Sequence, residues 1–117
     1  MTKIFVYGSL KKDYWNHRYL GDSKFVTKLN LMGYKLYTDG IPYMVKTAIP
    51  EDRVAGEIYE VDDDTLGLLD DLEGHPNWYK REIVSAHDLQ PVEAYVYYEY
   101  IAPRMKEAEK REGAYVF

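Results

Sequence analysis

Cysteine is absent from this chain. Disulfides, thiolate zinc sites and a cysteine nucleophile are therefore excluded. Basic residues are in the minority: 15 Lys and Arg against 20 Asp and Glu leave a formal charge of −5. That balance argues against nucleic acid as a partner, because phosphate binding depends on clustered cations. Long apolar runs are missing too. The opening Ile4-Phe5-Val6-Tyr7 is too short for the core of a signal peptide and stops at Gly8. No stretch approaches the roughly 20 apolar residues of a membrane span. The expectation is a cytoplasmic protein with no membrane partner. Histidine is scarce, and His17, His75 and His87 show no ligand spacing, so no metal site is expected. The acidic run Asp62 to Asp64 lacks a calcium-loop pattern and reads as a helix cap.

The 117 residues suffice for a single domain, 1–117, and are too few for two ordinary ones. Thirteen tyrosines dominate the aromatic content. Stacking platforms for single-stranded nucleic acid need a basic groove beside their aromatics, so these tyrosines suit strands and pocket walls better. Short strands are expected near Lys3–Tyr7, Lys24–Leu31, Tyr34–Tyr37, Ile41–Val45, Val54–Val61, Trp78–Ala86 and Glu93–Tyr100. In the last of these Ala94, Val96, Tyr98 and Tyr100 share one face, and Glu93, Tyr95, Tyr97 and Glu99 the other. Leu10 to Gly21 reads as a loop with a helical turn. Lys106 to Glu112 reads as a solvated helix, and Ala114 to Phe117 as an apolar tail that packs back on the body. Many strands with little helix give an α+β class, as a small mixed, mainly antiparallel β-barrel, open or curved, with short helices. Nothing in the sequence fixes an oligomeric state.

One carboxylate stands out. Asp62 to Leu69 carries the acidic cap of a short helix, and Gly74 suits the residue just past its last turn. Leu66, Leu69 and Glu73 fall at i, i+3 and i+7, the spacing of one face. Glu73 should point where the buried leucines point, at the negative end of the helix dipole. Both effects disfavour its charged form and predict a raised pKa. Asp70 and Asp71 fit a solvated face.

A second element is Val6-Tyr7-Gly8-Ser9-Leu10, a buried strand running straight into a glycine turn. Gly8 permits a sharp turn and a close approach by a ligand. Consecutive free N–H groups beyond a strand end can form an anion-binding concavity. Ser9 lacks the Gly-x-Ser-x-Gly elbow and a placed histidine, so it is not read as a nucleophile.

Val6-Tyr7-Gly8-Ser9-Leu10, then Asn16-His17, then Leu69 to Glu73 with Gly74 and Pro76, then Tyr79 and Arg81, follow one another at suitable distances. In combination they resemble the γ-glutamylcyclotransferase-like superfamily, on its γ-glutamylamine cyclotransferase and AIG2-like branch. The resemblance implies a small mixed barrel with a pocket at one side and no cofactor. It implies a γ-glutamyl small molecule as substrate, whose α-amine attacks its own γ-carbonyl to give 5-oxoproline and a free amine. It matches Glu73 to the family's glutamate, as general base and then acid, and Tyr7, Gly8, Ser9 and Leu10 to its substrate loop. Tyr79 matches the tyrosine of its Tyr-x-Arg, and Tyr97 is a further candidate because its strand face could reach a pocket. The loop N–H groups could hold either the substrate α-carboxylate or the developing oxyanion. Asn16 and His17 are expected to brace the loop, and Arg81 to pair with a helix carboxylate. The loop Lys11–Asn16 departs from the family by carrying Asp13, Tyr14 and Trp15 where a smaller stretch is expected. The alternative is a non-catalytic module of the same fold that binds a small metabolite, because fold does not guarantee activity.

Overall fold

The computed structural model describes residues 1–86, 89 and 91–117. His87 lies outside the described residues. Among the described residues, ten strands and one α-helix follow in the order β1 (Thr2–Val6), β2 (Lys24–Met32), β3 (Tyr34–Thr38), β4 (Pro42–Lys46), β5 (Arg53–Val61), α1 (Asp63–Glu73), β6 (Tyr79–Val84), β7 (Val92–Tyr97), β8 (Lys106–Glu107), β9 (Glu109–Arg111) and β10 (Ala114–Val116). A 3-10 turn, His17–Leu20, interrupts the long loop after β1. All seven expected strands are present within a few residues of the expected bounds.

A seven-stranded sheet runs β6-β7-β1-β5-β10-β9, with β2 also on β5. A three-stranded sheet runs β4-β3-β8. The class is α+β as expected, and the two sheets do not close into one barrel. The short apolar strand β1 lies at the centre. It runs antiparallel to β5, with Ile4 opposite Tyr59, and parallel to β7, with Phe5 opposite Ala94.

Alternation along the central strands feeds two cores. Phe5, Ile58, Ala94 and Val96 pack on one side with Leu36 and Met44 of the small sheet. Ile4, Val6, Tyr59 and Tyr95 pack on the other with Leu69 of α1 and Leu20 of the 3-10 turn. The central strands are therefore apolar on both faces, as strands covered on both sides must be. In β7 both expected faces are buried, and the strand ends at Tyr97, leaving Tyr98 and Tyr100 exposed.

The helix forms where its ends are written. The Asp62 carboxylate accepts from Thr65 N–H at 2.7 Å, which satisfies an orphan donor of the first turn. Gly74 takes the left-handed conformation at φ 65 and closes the last turn through its N–H. Leu69 is fully buried and anchors α1 to the sheet. Truncating such a leucine to alanine typically costs about 2–5 kcal/mol.

One expectation fails. Lys106–Glu112 is not a helix. Lys106–Glu107 pairs with Thr38 and Tyr37 of β3, and Glu109–Arg111 forms a hairpin with β10. The turn is made by Glu112 at φ 52 and Gly113 at φ 81, the left-handed pair a two-residue hairpin requires. Helix propensity differs among ordinary residues by only about 0.7 kcal/mol, and a free helix this short is marginal. Strand pairing with β3 and β10 decides the outcome. The tail does pack back: Tyr115 lies beside Val54 of β5 in parallel register and is buried.

Candidate active site

The strand-to-turn element after β1 and the end of α1 meet at a cavity of about 250 Å³, and Tyr7, Gly8, Ser9, Leu10, Glu73 and Tyr79 all line it. That volume lies just under the roughly 300–1,000 Å³ of drug-sized sites, which suits a ligand of amino-acid scale.

The turn is braced from within. Lys11 N–H donates to the Gly8 carbonyl at 3.0 Å, and Asn16 N–H to the Ser9 carbonyl at 2.9 Å. The Asn16 side-chain amide donates to Ser9 Oγ at 2.8 Å. His17 Nδ1 lies 2.8 Å from the Leu10 carbonyl, and that nitrogen carries the proton because a carbonyl only accepts. Asn16 and His17 thus brace the loop as expected, and Asn16 also lines the cavity. The carbonyls of Gly8, Ser9 and Leu10 are all engaged. Among the described residues, no hydrogen bond uses the N–H groups of Gly8, Ser9 or Leu10 outside the regular ladders. Gly8 is required by crowding: a Cβ there would lie 2.5 Å from Pro42 Cγ. Ser9 has a hydroxyl held by an amide and no base beside it.

The three acidic residues at the end of α1 meet different fates. Asp71 is exposed. Asp70 receives both arms of the Arg81 guanidinium, at 2.8 and 3.1 Å, and the Tyr95 hydroxyl at 2.7 Å. Burial opposes the Asp70 charge, but Arg81 and Tyr95 outweigh it and hold its pKa below the usual value. Arg81 also donates to Glu93 at 2.6 Å, so its pairing with a helix carboxylate is as expected. Glu73 faces the cavity, and among the described residues it belongs to no ion pair. Burial alone pushes its carboxyl up to about 7.

The phenols around Glu73 are held neutral. Burial, and then the Glu73 charge, raises the Tyr7 pKa, while its hydroxyl donates to the Tyr95 carbonyl at 2.6 Å. Tyr79 is raised by burial, then by Tyr7 and Glu73, and its hydroxyl donates to the Pro42 carbonyl. Glu73 is left as the cavity's one group poised to change charge near neutrality.

Tyr97 stands apart from the other candidates. It does not line this cavity. Its ring packs edge-on against Tyr43 at 4.8 Å and Tyr79 at 6.0 Å, behind the wall, and it lines a separate open groove between the sheets. The strand face was legible, but both faces of β7 are covered, and Tyr43 and Tyr79 fill the space between Tyr97 and the cavity. Trp15, Ile41, Trp78 and Tyr95 also line the cavity, beyond the site residues expected from the sequence. Tyr95 shares a strand face with Tyr97, and Trp15 marked the loop's departure from its family. Ile41 and Trp78 gave no local signal. Among the described residues no group of three or more His, Asp or Glu side chains is arranged to hold a metal ion, and no helix is long and apolar enough to cross a membrane.

The family model described as gamma-glutamyl cyclotransferase, AIG2-like, matches residues 4–116. The chain belongs to this family. It is 43% identical over 102 residues to a Methanocaldococcus jannaschii protein named putative gamma-glutamylcyclotransferase, covering 84% of each chain. It is 34% identical over 99 residues to the gamma-glutamylaminecyclotransferase of Rattus norvegicus, covering 77% of this chain and 66% of the rat enzyme. The crystal structure of an uncharacterized Pyrococcus horikoshii protein superposes with a TM-score of 0.77 at 28% identity, covering 92% of this chain and 85% of the other. The family is one of cyclotransferase enzymes, and the cavity between Glu73 and the Gly8–Leu10 turn sits on its shared fold.

Proposed function

We propose that this protein cyclises a γ-glutamyl compound to 5-oxoproline and releases the amine, with Glu73 as general base and then general acid. The observation that carries the proposal is a lone carboxylate, raised to about 7, that lines one small cavity together with Gly8, Ser9 and Leu10. Ring closure is intramolecular, so the site mainly has to hold the substrate in a near-attack conformation. The substrate α-ammonium first gives up a proton to solvent water. Its nitrogen then attacks the γ-carbonyl carbon, and Glu73 accepts a second proton as the ring C–N bond forms. The carbonyl oxygen becomes an oxyanion, for which the Gly8–Leu10 N–H groups are suited donors. Glu73 returns its proton to the leaving nitrogen as the original amide C–N bond breaks, and the released amine takes up a proton from water. A carboxyl near neutrality serves both steps, and such acid–base help is typically worth about 10²–10⁴-fold.

Tyr7 and Tyr79 act in this scheme as neutral walls that orient the γ-glutamyl chain. A non-catalytic binder of an acidic metabolite gains nothing from an unpaired carboxylate in its pocket. The test is 5-oxoproline release from a panel of γ-glutamyl dipeptides and γ-glutamylamines, with Glu73→Gln alongside. Release that persists undiminished in the variant rules out Glu73 as the proton carrier. No release from any substrate overturns the cyclotransferase reading.

A further inference from the structure

The loop after the Gly8–Leu10 turn carries Asp13, Tyr14 and Trp15, its departure from the family pattern, and the proton chemistry uses none of them. The structure gives each a place. Asp13 sits at φ 72, in the left-handed region that non-glycine residues keep only where the surroundings over-determine it. Trp15 lines the cavity, as does Asn16 beside it. Tyr14 does not line it, and its hydroxyl donates to the Phe117 carbonyl at 2.8 Å.

Phe117, just past β10, is where these contacts converge. Its carbonyl also accepts from Lys11 Nζ at 3.0 Å. Lys11 is only 8% exposed, and its ammonium lies 4.6 Å from the centre of the Tyr14 ring. A buried ammonium needs such partners, because its desolvation is otherwise costly. The Phe117 ring meets Trp15 edge-on at 5.9 Å and tilts against Tyr14 at 6.2 Å. One residue thus holds Lys11, Tyr14 and Trp15 through two hydrogen bonds and two ring contacts.

The loop is tied on its other sides as well. Lys12 N–H donates to the Glu57 carboxylate of β5 at 2.9 Å, and Arg18 Nη1 to the Trp15 carbonyl at 2.9 Å. Phe117 is itself fixed to the body: it packs on the core, and Tyr115 beside it pairs with Val54 and is buried. The loop is joined to the turn by the bonds of Lys11 N–H to Gly8 and of Asn16 N–H to Ser9. A shift of Lys11–Asn16 therefore passes to the turn and to the cavity wall. Near-attack geometry is sensitive to this, since a displacement of about 1 Å can cost about 10²-fold in rate.

Resting on the cyclotransferase reading above, we infer that Lys11, Tyr14 and Phe117 form a clamp that positions the Gly8–Leu10 turn and Trp15 for ring closure. None of the three lines the cavity. They are positioning residues that act through the loop.

The experiment begins with Phe117→Ala, which removes the ring and keeps the carbonyl. It should lower kcat for 5-oxoproline release about tenfold and change KM by less than about threefold. Phe117→Tyr keeps the ring contacts and should restore native kcat. Lys11→Met should lower kcat by a similar factor, and the double variant Lys11→Met/Phe117→Ala should lose little more than the larger single loss, because members of one clamp are not additive. Leu29→Ala controls for general destabilisation: Leu29 of β2 packs on the core and is absent from the cavity wall. It should lower the urea midpoint and leave kcat native. Amide hydrogen exchange reads the clamp without the chemistry. In Phe117→Ala the amides of Lys12 and Asn16 should exchange about tenfold faster, while those of β6 keep their native rates. Unchanged exchange overturns the clamp even where 5-oxoproline is made. Faster exchange with native kcat overturns the positioning role. So does a loss carried by KM alone, a loss that Leu29→Ala shares, or a Phe117→Tyr kcat as low as that of Phe117→Ala. Additive losses in the double variant overturn the single clamp. Faster exchange in a protein that turns over no γ-glutamyl substrate overturns the cyclotransferase reading and supports the hold on the loop.

Discussion

Replacing Glu73 by glutamine should remove activity and strengthen the fold in the same step. Burial lifts the Glu73 carboxyl from 4.5 to about 7. Each pH unit corresponds to about 1.4 kcal/mol, so keeping the group ionised in the folded state costs about 3 kcal/mol relative to the unfolded chain. The folded protein holds this proton more tightly and carries more of it between the two values. Stability should therefore fall as pH rises from about 4.5 to about 7, and level off above. Glutamine keeps the shape and carries no charge. Its stabilising effect should be about 1 kcal/mol at pH 5 and about 3 kcal/mol at pH 8, the latter a gap on the order of 10 °C in Tm. The amide's own burial weighs equally at every pH, so the pH dependence is the signal. Urea and thermal unfolding of both proteins from pH 5 to 8 measure it, with 5-oxoproline release followed under the same conditions. Activity should drop by at least about 100-fold. A stability difference that does not change with pH would refute the reasoning, because Glu73 would then ionise alike in both states.

Three further substitutions separate the site from the scaffold. Gly8→Ala places a Cβ 2.5 Å from Pro42 Cγ; it should cost about 1–3 kcal/mol and also abolish 5-oxoproline release, because the loop must move away from β4. Gly56→Ala meets the Phe5 ring and the Val6 carbonyl, each at 2.5 Å; it should cost about as much, about 1–3 kcal/mol, yet leave KM near native in the folded fraction. Arg81→Met strands Asp70 and Glu93 and should cost about 2 kcal/mol at pH 7 in urea unfolding. Because the pairing holds the Asp70 pKa below its usual value, the stability that it gives is present above the ordinary carboxylate range and lost as pH falls through the folded pKa. The Arg81→Met penalty should therefore shrink at pH 3, and one that stays constant would mean that Arg81 acts through packing alone.

Legibility in the sequence followed the range of the physics involved. Asp62 and Gly74 bound α1 through chemistry confined to one turn, and both ends were readable. The direction of Glu73 was readable from its spacing with Leu66 and Leu69, because helix geometry fixes which residues share a face. The sign of its pKa shift was also readable, since burial of a lone acid has one outcome. Lys106–Glu112 was misread because its conformation is set by partners far away in the chain: Tyr37 and Thr38 for the first part, β10 for the second. Tyr97 shows a different limit. Alternation told which residues it accompanies, but not that a layer of tyrosines separates it from the cavity. Ile41 and Trp78 had no local signature, because the cavity that they line is made by the convergence of separate loops.

The Asp70–Arg81–Glu93 network has a consequence for the site as well as for stability. Asp70 and Glu73 are three residues apart on α1, close enough on a helix surface to compete for one partner. A cation near Glu73 would reverse its shift, because an opposite charge within about 4–6 Å favours ionisation. Burial is the one cause of the Glu73 shift, and the Arg81 guanidinium is bonded elsewhere: Asp70 takes two of its nitrogens and Glu93 the third. The Tyr95 hydroxyl adds a further bond to Asp70. The pairing thus does two things at once. It lowers the pKa of Asp70 and bonds the guanidinium to carboxylates other than Glu73. Two carboxylates three residues apart on one helix thus shift in opposite directions, because the sheet supplies a cation to Asp70 while burial acts on Glu73.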